Sequence, residues 1–456
     1  MRHLTDDTIC AISTAPGVGG IAVIRISGPQ ASVHVNSIYS KDVKAQDPMT
    51  LSYGQIMDGE DILDDVIVAR FQGPHSFTGE DVVEISCHGS VYIQERILQL
   101  LIAQGCRAAT RGEFTQRAFL HGKMDLSQAE AVADLIASES RSAHRMAIQQ
   151  MKGEFSQEIV TLRTKLIEFA SLIELELDFS EEDVEFADRD DFKRLIRAII
   201  HRVDELIESF QLGNVIKKGV PVAIIGAPNS GKSTLLNALL KEQRAIVSDI
   251  AGTTRDAIED TVNIGGVTFR FIDTAGVRET EDQIENQGIA IALDKAKHAA
   301  IVIKLLDARQ ELLDEEERLY NHYFDHVGWR DDERTIRVLN KIDLTEGRDG
   351  LPQDAIGISA LTGEGLNSLK DKLLERIEYD GTGQRDIVVS NLRHLHALQK
   401  TSEALHTVVK GMEQGISSDL LAIDIRKALH YLGEVTGEVT TDDLLGTIFS
   451  KFCIGK

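Results

Sequence analysis

Three textures of apolar and polar positions follow one another along the chain. Up to about residue 118, short β-branched runs alternate with glycine-rich turns: "GGIAVIRISG", "DDVIVARFQG" and "EDVVEISCHG". Alternation of this kind predicts strands, and "VYIQERILQLLIAQG" after the third run predicts a helix. From Ser127 the spacing turns helical. "SQAE" reads as a capping box, with Ser127 as N-cap and Glu130 three residues on. Ile159, Leu162, Leu166, Phe169 and Leu172 recur at steps of three and four, the stripe of a core-facing helix. The acidic "SEEDVEFADRDD" breaks that pattern near 180–191 and predicts a loop.

At Gly219 the pattern changes again. "VPVAIIGAPNSGKSTLLNALL", "VTFRFIDTAG", "AAIVIKLLDA", "TIRVLNKID" and "AIGISALTG" are apolar strand runs, most of them separated by helix-length segments. That order predicts a doubly wound parallel sheet. Helices resume after about residue 380, marked by Leu392, Leu395 and Leu398, then Leu421, Ile425, Ala428 and Leu432. The simplest organisation is an α+β N-terminal domain (1–118), a discontinuous α-helical domain (119–214 and 380–456) and an inserted α/β domain (215–379). Insertion is tolerable where the ends of the inserted domain lie close together.

Composition narrows the class. A chain of 456 residues, 42% apolar and 27% charged, is ordinary for a globular protein. No apolar run approaches the ~20 residues of a membrane span, and "MRHLTDDTIC" lacks a signal-peptide core. Four cysteines without CxxC spacing (Cys10, Cys87, Cys106, Cys453) signal neither zinc nor a disulfide framework, so a reduced, cytoplasmic setting is expected. The net charge of −24 has the wrong sign for a protein that grips nucleic acid over much of its surface. Any nucleic-acid substrate must therefore meet a local basic patch or be held by a partner.

The inserted segment carries the strongest chemistry. "GAPNSGKST" places GxxxxGK[ST], Gly226 to Ser233, after a strand and before a helix, so that Asn229, Ser230, Gly231, Lys232, Ser233 and Thr234 surround phosphates with backbone N–H groups. Lys232 is expected to reach the β- and γ-phosphates, and the Ser233 hydroxyl to ligate Mg²⁺. "GTTRD" supplies a switch threonine, Thr254, as a second magnesium ligand. In "DTAG" (Asp273, Thr274, Ala275, Gly276) the Asp addresses the magnesium shell and the Gly amide the γ-phosphate. "NKID" (Asn340, Lys341, Asp343) reads the base: the Asp343 carboxylate accepts two hydrogen bonds from guanine that adenine cannot give. "SAL" (Ser359, Ala360, Leu361) fits the loop that supports the base. Five short motifs in order, at strand ends, read as a P-loop GTPase (G) domain.

The residue after DTAG is Val277, where many small GTPases carry a glutamine that orients the attacking water. Valine cannot hydrogen-bond, so hydrolysis needs another water-orienting group and another positive charge. Glu285, in "EDQIENQG", is the candidate acid. Asn229 and the backbone carbonyls of "SDIAG" (Ser248, Asp249, Ile250, Ala251, Gly252) offer oxygen ligands suited to a monovalent cation.

The chain resembles the MnmE (TrmE) family of bacterial tRNA-modification GTPases over essentially its whole length. The resemblance rests on "APGVGGIAVIRISG", "GPHSFTGEDVVEISCHG", "RGEFTQRAFLHGKMDLSQAEAVADLI", the five GTPase motifs and "TGEVTTDDLLGTIFSKFCIGK". It implies an N-terminal domain that dimerises and binds a tetrahydrofolate (5,10-methylene or 5-formyl) through positions matching Arg25, Glu84, Lys123 and Lys456. It implies G domains that pair across the homodimer with K⁺ held by Asn229, Ser248, Ile250 and Thr253, and Glu285 positioning water. It also implies a tail cysteine, Cys453, needed for tRNA modification. The implied activity is GTP hydrolysis coupled, in a heterotetramer with an FAD-containing MnmG (GidA) partner, to adding a carboxymethylaminomethyl or aminomethyl group at carbon 5 of the wobble uridine of certain tRNAs. The alternative is a regulatory, RNA-associated GTPase switch of the Era or Der kind, with no direct part in tRNA chemistry.

Overall fold

The structure, a computed structural model, describes residues 7–178, 189–227, 229–244, 260–272, 299–309, 334–345, 352, 354–376 and 387–456. The chain divides into two compact units. One comprises Met1–Ile136, Ala147–Glu205 and His396–Lys456; the other comprises Ala137–Met146 and Leu206–Leu395.

The first unit opens with six strands: β1 (Ile9–Ile12), β2 (Gly19–Ser27), β3 (Leu51–Asp58), β4 (Asp61–Phe71), β5 (Val82–Gly89) and β6 (Arg107–Ala108). They form one sheet in the order β3-β4-β5-β2-β1-β6, antiparallel except for the parallel β1–β6 pair. Successive side chains point to opposite faces. One face sends Cys10, Ala22, Ile24, Ile26, Val66, Val68, Val83 and Ile85 into a core with Ile97 and Leu101 of helix Val91–Ala103. The other face carries a cross-strand row, Ala11, Arg25, Glu84, Ala69 and Leu51. It is covered at its β1 end, where Phe114 and Phe77 pack on Ile9 and Ala11.

Helices complete this unit. Ile159, Leu162, Leu166 and Phe169 are buried along helix Glu154–Asp178, which packs on helix Ser418–Thr436 with its buried Leu421, Ile425, Ala428 and Leu432. The side chain of Leu172 lies outside what is described. Leu398 is buried but Leu392, at the first position of its helix, is exposed. The capping box sits two residues earlier than the serine reading places it. Gln128 N–H donates to Asp125 Oδ1 and Asp125 N–H to Gln128 Oε1, both at 2.9 Å, while Ser127 lies inside the helix and is fully buried. Asp125 followed three residues later by Gln is the same reciprocal device. Of the acidic stretch, Arg189 to Asp191 already belong to helix Arg189–Lys218; 179–188 lie outside the described residues.

The second unit holds a sheet in the order β12-β11-β10-β7-β9-β8: β7 (Val220–Gly226), β8 (Asp260–Ile264), β9 (Val267–Phe271), β10 (Ile301–Asp307), β11 (Thr335–Asn340) and β12 (Ala355–Ile358). All pairs are parallel except β8–β9. The antiparallel edge strand β8 turns back through Gly265 and Gly266; the polar "DTVNI" gave no apolar run to announce it. Strand β10 is buried at every position, as expected of a central parallel strand. No helix among the described residues is long and apolar enough to cross a membrane.

Candidate functional site

In open parallel sheets, ligands bind beyond the carboxyl ends of the strands. Four such ends converge here: Gly226 of β7, Asp307 of β10, Asn340 of β11 and Ser359 after β12. Helix Lys232–Arg244 begins six residues beyond the end of β7, so its first-turn N–H groups and positive dipole end face the loop between them.

Asn340 is the hub. It is buried, its Nδ2 donates to Ser230 O at 2.8 Å, and its Oδ1 accepts from Ala360 N at 3.0 Å. One carboxamide thus ties the phosphate-loop backbone to the SAL loop. Gly231 makes this possible: with φ at 99°, a side chain there would collide with Asn340 Nδ2. Lys341, itself at φ 68°, donates from Nζ to Asn229 O at 2.6 Å and to Asp307 Oδ2 at 2.8 Å. Lys232 Nζ reaches back over the loop to Gly226 O and Ala227 O, both at 2.8 Å. Ser359 is buried, its Oγ accepting from Thr362 N, whereas Asp343 and Leu361 are exposed. Ser230 Oγ is buried with no hydrogen-bond partner. Ser233 and Thr234 occupy the first turn of the helix.

Asn229 to Thr234 and Asn340, Lys341, Asp343 and Ser359 to Leu361 therefore lie on neighbouring loops of one sheet end. Ser248 to Thr254, Asp273 to Gly276, Val277 and Glu285 lie outside the described residues. Burial raises the proton affinity of Asp307, but hydrogen bonds from Arg309 and Lys341 outweigh it and bring its pKa down to about 2.

The first unit holds a second cluster. Arg25 and Glu84 face each other across β2 and β5, with Arg25 Nε 2.8 Å from Glu84 Oε1. The Arg25 guanidinium lies over the rings of Phe77 (5.3 Å) and Phe114 (5.7 Å), a flat cation on two aromatic faces. Phe77 belongs to the β4–β5 loop, and the same loop's Pro74 O accepts from Lys123 Nζ at 2.9 Å. Phe114 belongs to helix Glu113–Leu120, which is anchored by an ionic network. Buried Arg117 donates to Asp7 Oδ1 (2.5 Å), Glu80 Oε1 (3.1 Å) and Glu113 Oε1 (3.1 Å), and Arg107 pairs with both Asp7 and Glu113. Burial pushes the Glu113 carboxyl up, yet Arg107, the Thr110 amide and Arg117 hold it below the ordinary carboxylate range.

The tail lies against the same domain. Cys453 O accepts from Gly112 N (3.3 Å), Ile454 bridges Arg111, and Gly455 O accepts from Ser13 Oγ (3.1 Å). Gly455 adopts φ 91° against the Ile12 carbonyl, next to Ala11, the residue opposite Arg25. Cys453 is exposed; Cys10, Cys87 and Cys106 are buried. Burial, reinforced by the negative charge of Asp64, pushes the Cys87 thiol up to about 11, as befits an inert core cysteine.

The family model of the MnmE helical domain matches residues 126–453, and that of the GTP-binding protein TrmE N-terminus matches residues 8–123. The tRNA modification GTPase MnmE of Cytophaga hutchinsonii is 52% identical over 457 residues, covering 99% of this chain and 98% of its own. This chain belongs to the MnmE family. Other MnmE proteins agree: that of Christiangramia forsetii is 50% identical, covering 99% of both chains, and that of Porphyromonas gingivalis 49% identical, covering 100% and 99%. Among solved structures, the G domain of the T. maritima FeoB iron transporter is similar over 35% of this chain and 99% of its own, at 26% identity and a TM-score of 0.25, too low to add to the assignment.

Within this MnmE-family chain, three participants escaped the reading of the residues. Phe77 and Phe114 stand inside the quoted "GPHSFTGE" and "RGEFTQR", where aromatic residues flanked by polar ones are the available signal. Asp307 closes a buried, strand-length run that is apolar apart from Lys304, and a carboxylate at such a place is expensive unless it is paired.

Proposed function

We propose that the protein hydrolyses GTP and, with an FAD-containing MnmG-type partner, takes part in adding an aminomethyl-type group at carbon 5 of the wobble uridine of certain tRNAs. The observation that carries the nucleotide reading is the Asn340 carboxamide joining the phosphate loop to the SAL loop at the carboxyl end of a parallel sheet. The donor set fits the phosphates: a lysine, helix N–H groups and a partnerless Ser230 hydroxyl share one loop. Ser233 and Thr254 would hold Mg²⁺, and Asn229, Ser248, Ile250 and Thr253 would hold K⁺. K⁺ supplies the positive charge that an arginine finger brings elsewhere. Glu285 would position water where Val277 cannot.

Arg25, Glu84, Lys123 and Lys456 fit a tetrahydrofolate derivative: a carboxylate for the amidine-like edge of the pterin and cations for its glutamate. The tail would bring Cys453 to the reacting carbon. A homodimer is supported by the open face of the N-terminal sheet, where exposed Tyr53 and Ile67 are cross-strand partners and exposed Leu51 lies two residues from Tyr53 on the same face. The four-part division at residues 118, 214 and 379 is part of this reading; what supports its discontinuous helical domain is that Ala147–Glu205 and His396–Lys456 fall in one compact unit, whose bounds lie at 205 and 396. Hydrolysis rates in K⁺ and in Na⁺ test the cation reading, and equal rates would sink it. Mass analysis of wobble nucleosides from a strain lacking the gene tests the tRNA reading: unchanged nucleosides would favour a regulatory switch. Binding of 5-formyltetrahydrofolate to the full chain tests the folate site.

A further inference from the structure

Among the described residues only Met49, Asn229 and Lys341 combine a side chain with positive φ. Non-glycine residues persist in that region only where their surroundings over-determine them. Two of the three are joined directly, by the bond from Lys341 Nζ to Asn229 O. The same ammonium rests on Asp307 Oδ2 at 2.8 Å. Asp307 is fixed in turn. Its side chain is only 3% exposed at the end of the fully buried β10, and its oxygens also accept from Arg309 Nε (3.0 Å), Nη2 (2.7 Å) and backbone N (3.1 Å). A rigid central strand thus reaches the phosphate loop through one carboxylate and one ammonium.

We propose that Asp307 is a positioning residue for nucleotide binding, its carboxylate fixing the Lys341 ammonium that holds the Asn229 carbonyl, and so locking the phosphate loop to the base-reading loop. The proposal rests on the guanine-nucleotide reading of this site. It treats Lys341 as a two-ended strut rather than a surface cation, and Arg309 as a neighbour that completes the solvation of Asp307.

The test uses the full chain with Asp307→Asn, Lys341→Met, the double variant and Arg309→Met. Affinity for a fluorescent GDP analogue and steady-state GTP hydrolysis are read, and circular dichroism establishes folding. Loss of a charged hydrogen bond predicts that Asp307→Asn weakens GDP binding about tenfold or more and raises KM for GTP, with kcat within about threefold of the parent. Lys341→Met weakens binding at least as much, and the double variant stays within about twofold of Lys341→Met alone, because the two groups act as one link. Arg309→Met has the smaller effect. Unchanged affinity in Asp307→Asn, effects that multiply in the double variant, or an equal loss in Arg309→Met would overturn the proposal. Should Asp307→Asn not fold, Lys341→Met reads the same strut, and parental affinity there overturns it. A parent chain that binds no guanine nucleotide would defeat the underlying reading as well.

Discussion

Replacing Gly455 by Ala should detach the tail without touching the nucleotide site. The backbone at Gly455 has φ 91°, a region that costs an L-residue about 1–2 kcal/mol. A Cβ there would also press into the Ile12 carbonyl oxygen and lie 3.0 Å from both Ile12 C and Ser13 Cα, backbone atoms that cannot turn aside. Relief comes from lifting the tail, which gives up the Ser13–Gly455 and Gly112–Cys453 hydrogen bonds, each worth about 1 kcal/mol net. The docked conformation is therefore disfavoured by about 2–3 kcal/mol, a roughly 30- to 150-fold fall in the ratio of docked to undocked tail. Amide exchange read over Phe449 to Lys456 should accelerate, GTP hydrolysis should stay within about twofold of the parent, and wobble-uridine modification by the variant should fall. Undiminished exchange protection at Ile454 and Gly455 would refute the reasoning, since it would mean that the tail accommodates a side chain where the backbone leaves none room.

Arg117→Met removes the buried guanidinium shared by Asp7, Glu80 and Glu113, leaving Glu80 without a cationic partner among the described residues, and should destabilise the first unit by about 3–5 kcal/mol in urea unfolding; a loss below about 1 kcal/mol would show the network to be dispensable. Asn340→Ala leaves Ser230 O and Ala360 N unpaired in a buried setting, so GDP affinity should fall at least about tenfold, measured by titration with a fluorescent analogue. Arg25→Ala should weaken binding of 5-formyltetrahydrofolate by about tenfold or more while the GTPase rate is unchanged, measured by calorimetry and phosphate release. The carboxyl of Asp307 binds its proton more weakly in the folded chain than in the unfolded one, so its ionisation stabilises the fold above 3.8 and that contribution disappears as pH falls through about 2. A shift of this size corresponds to about 2 kcal/mol at neutral pH, and the stability gap between the parent and Asp307→Asn should shrink by roughly half between pH 6 and pH 3. A gap that stays constant or widens on acidification contradicts that sign.

Strands were legible where a long apolar run or clear alternation marked them; β1, short though buried at Ile9, Cys10 and Ala11, and β3 were not. "AAIVIKLLDA" contains β10 because a central parallel strand is buried on both faces, and "VVEISC" reads as β5 because its faces alternate. Strand β8 was not legible: an edge strand is buried on one side at most, and "DTVNI" alternates too weakly to stand out. The misplaced capping box has a similar origin, since Asp125–Gln128 and Ser127–Glu130 are equally good local spellings and only packing, which buries Ser127, chooses between them. The GTP motifs could be read because phosphate loops demand particular residues at fixed spacing. Asp307 could not, because its meaning depends on Lys341, 34 residues away in sequence and on the adjacent strand end. Arg25 and Glu84 lie 59 residues apart, and nothing local marks them as partners until β2 and β5 pair.

The interleaving of the two units has a consequence for biosynthesis. All of Leu206–Leu395 is translated before helix Ser418–Thr436, so the nucleotide-binding unit has its whole sequence made first. Helix Glu154–Asp178, translated long before, must wait with Ile159, Leu162 and Leu166 uncovered until that late helix arrives to cover them. Nascent chains are therefore most vulnerable to aggregation while the middle of the message is being read, and a pause there would lengthen the dependence of this protein on chaperones.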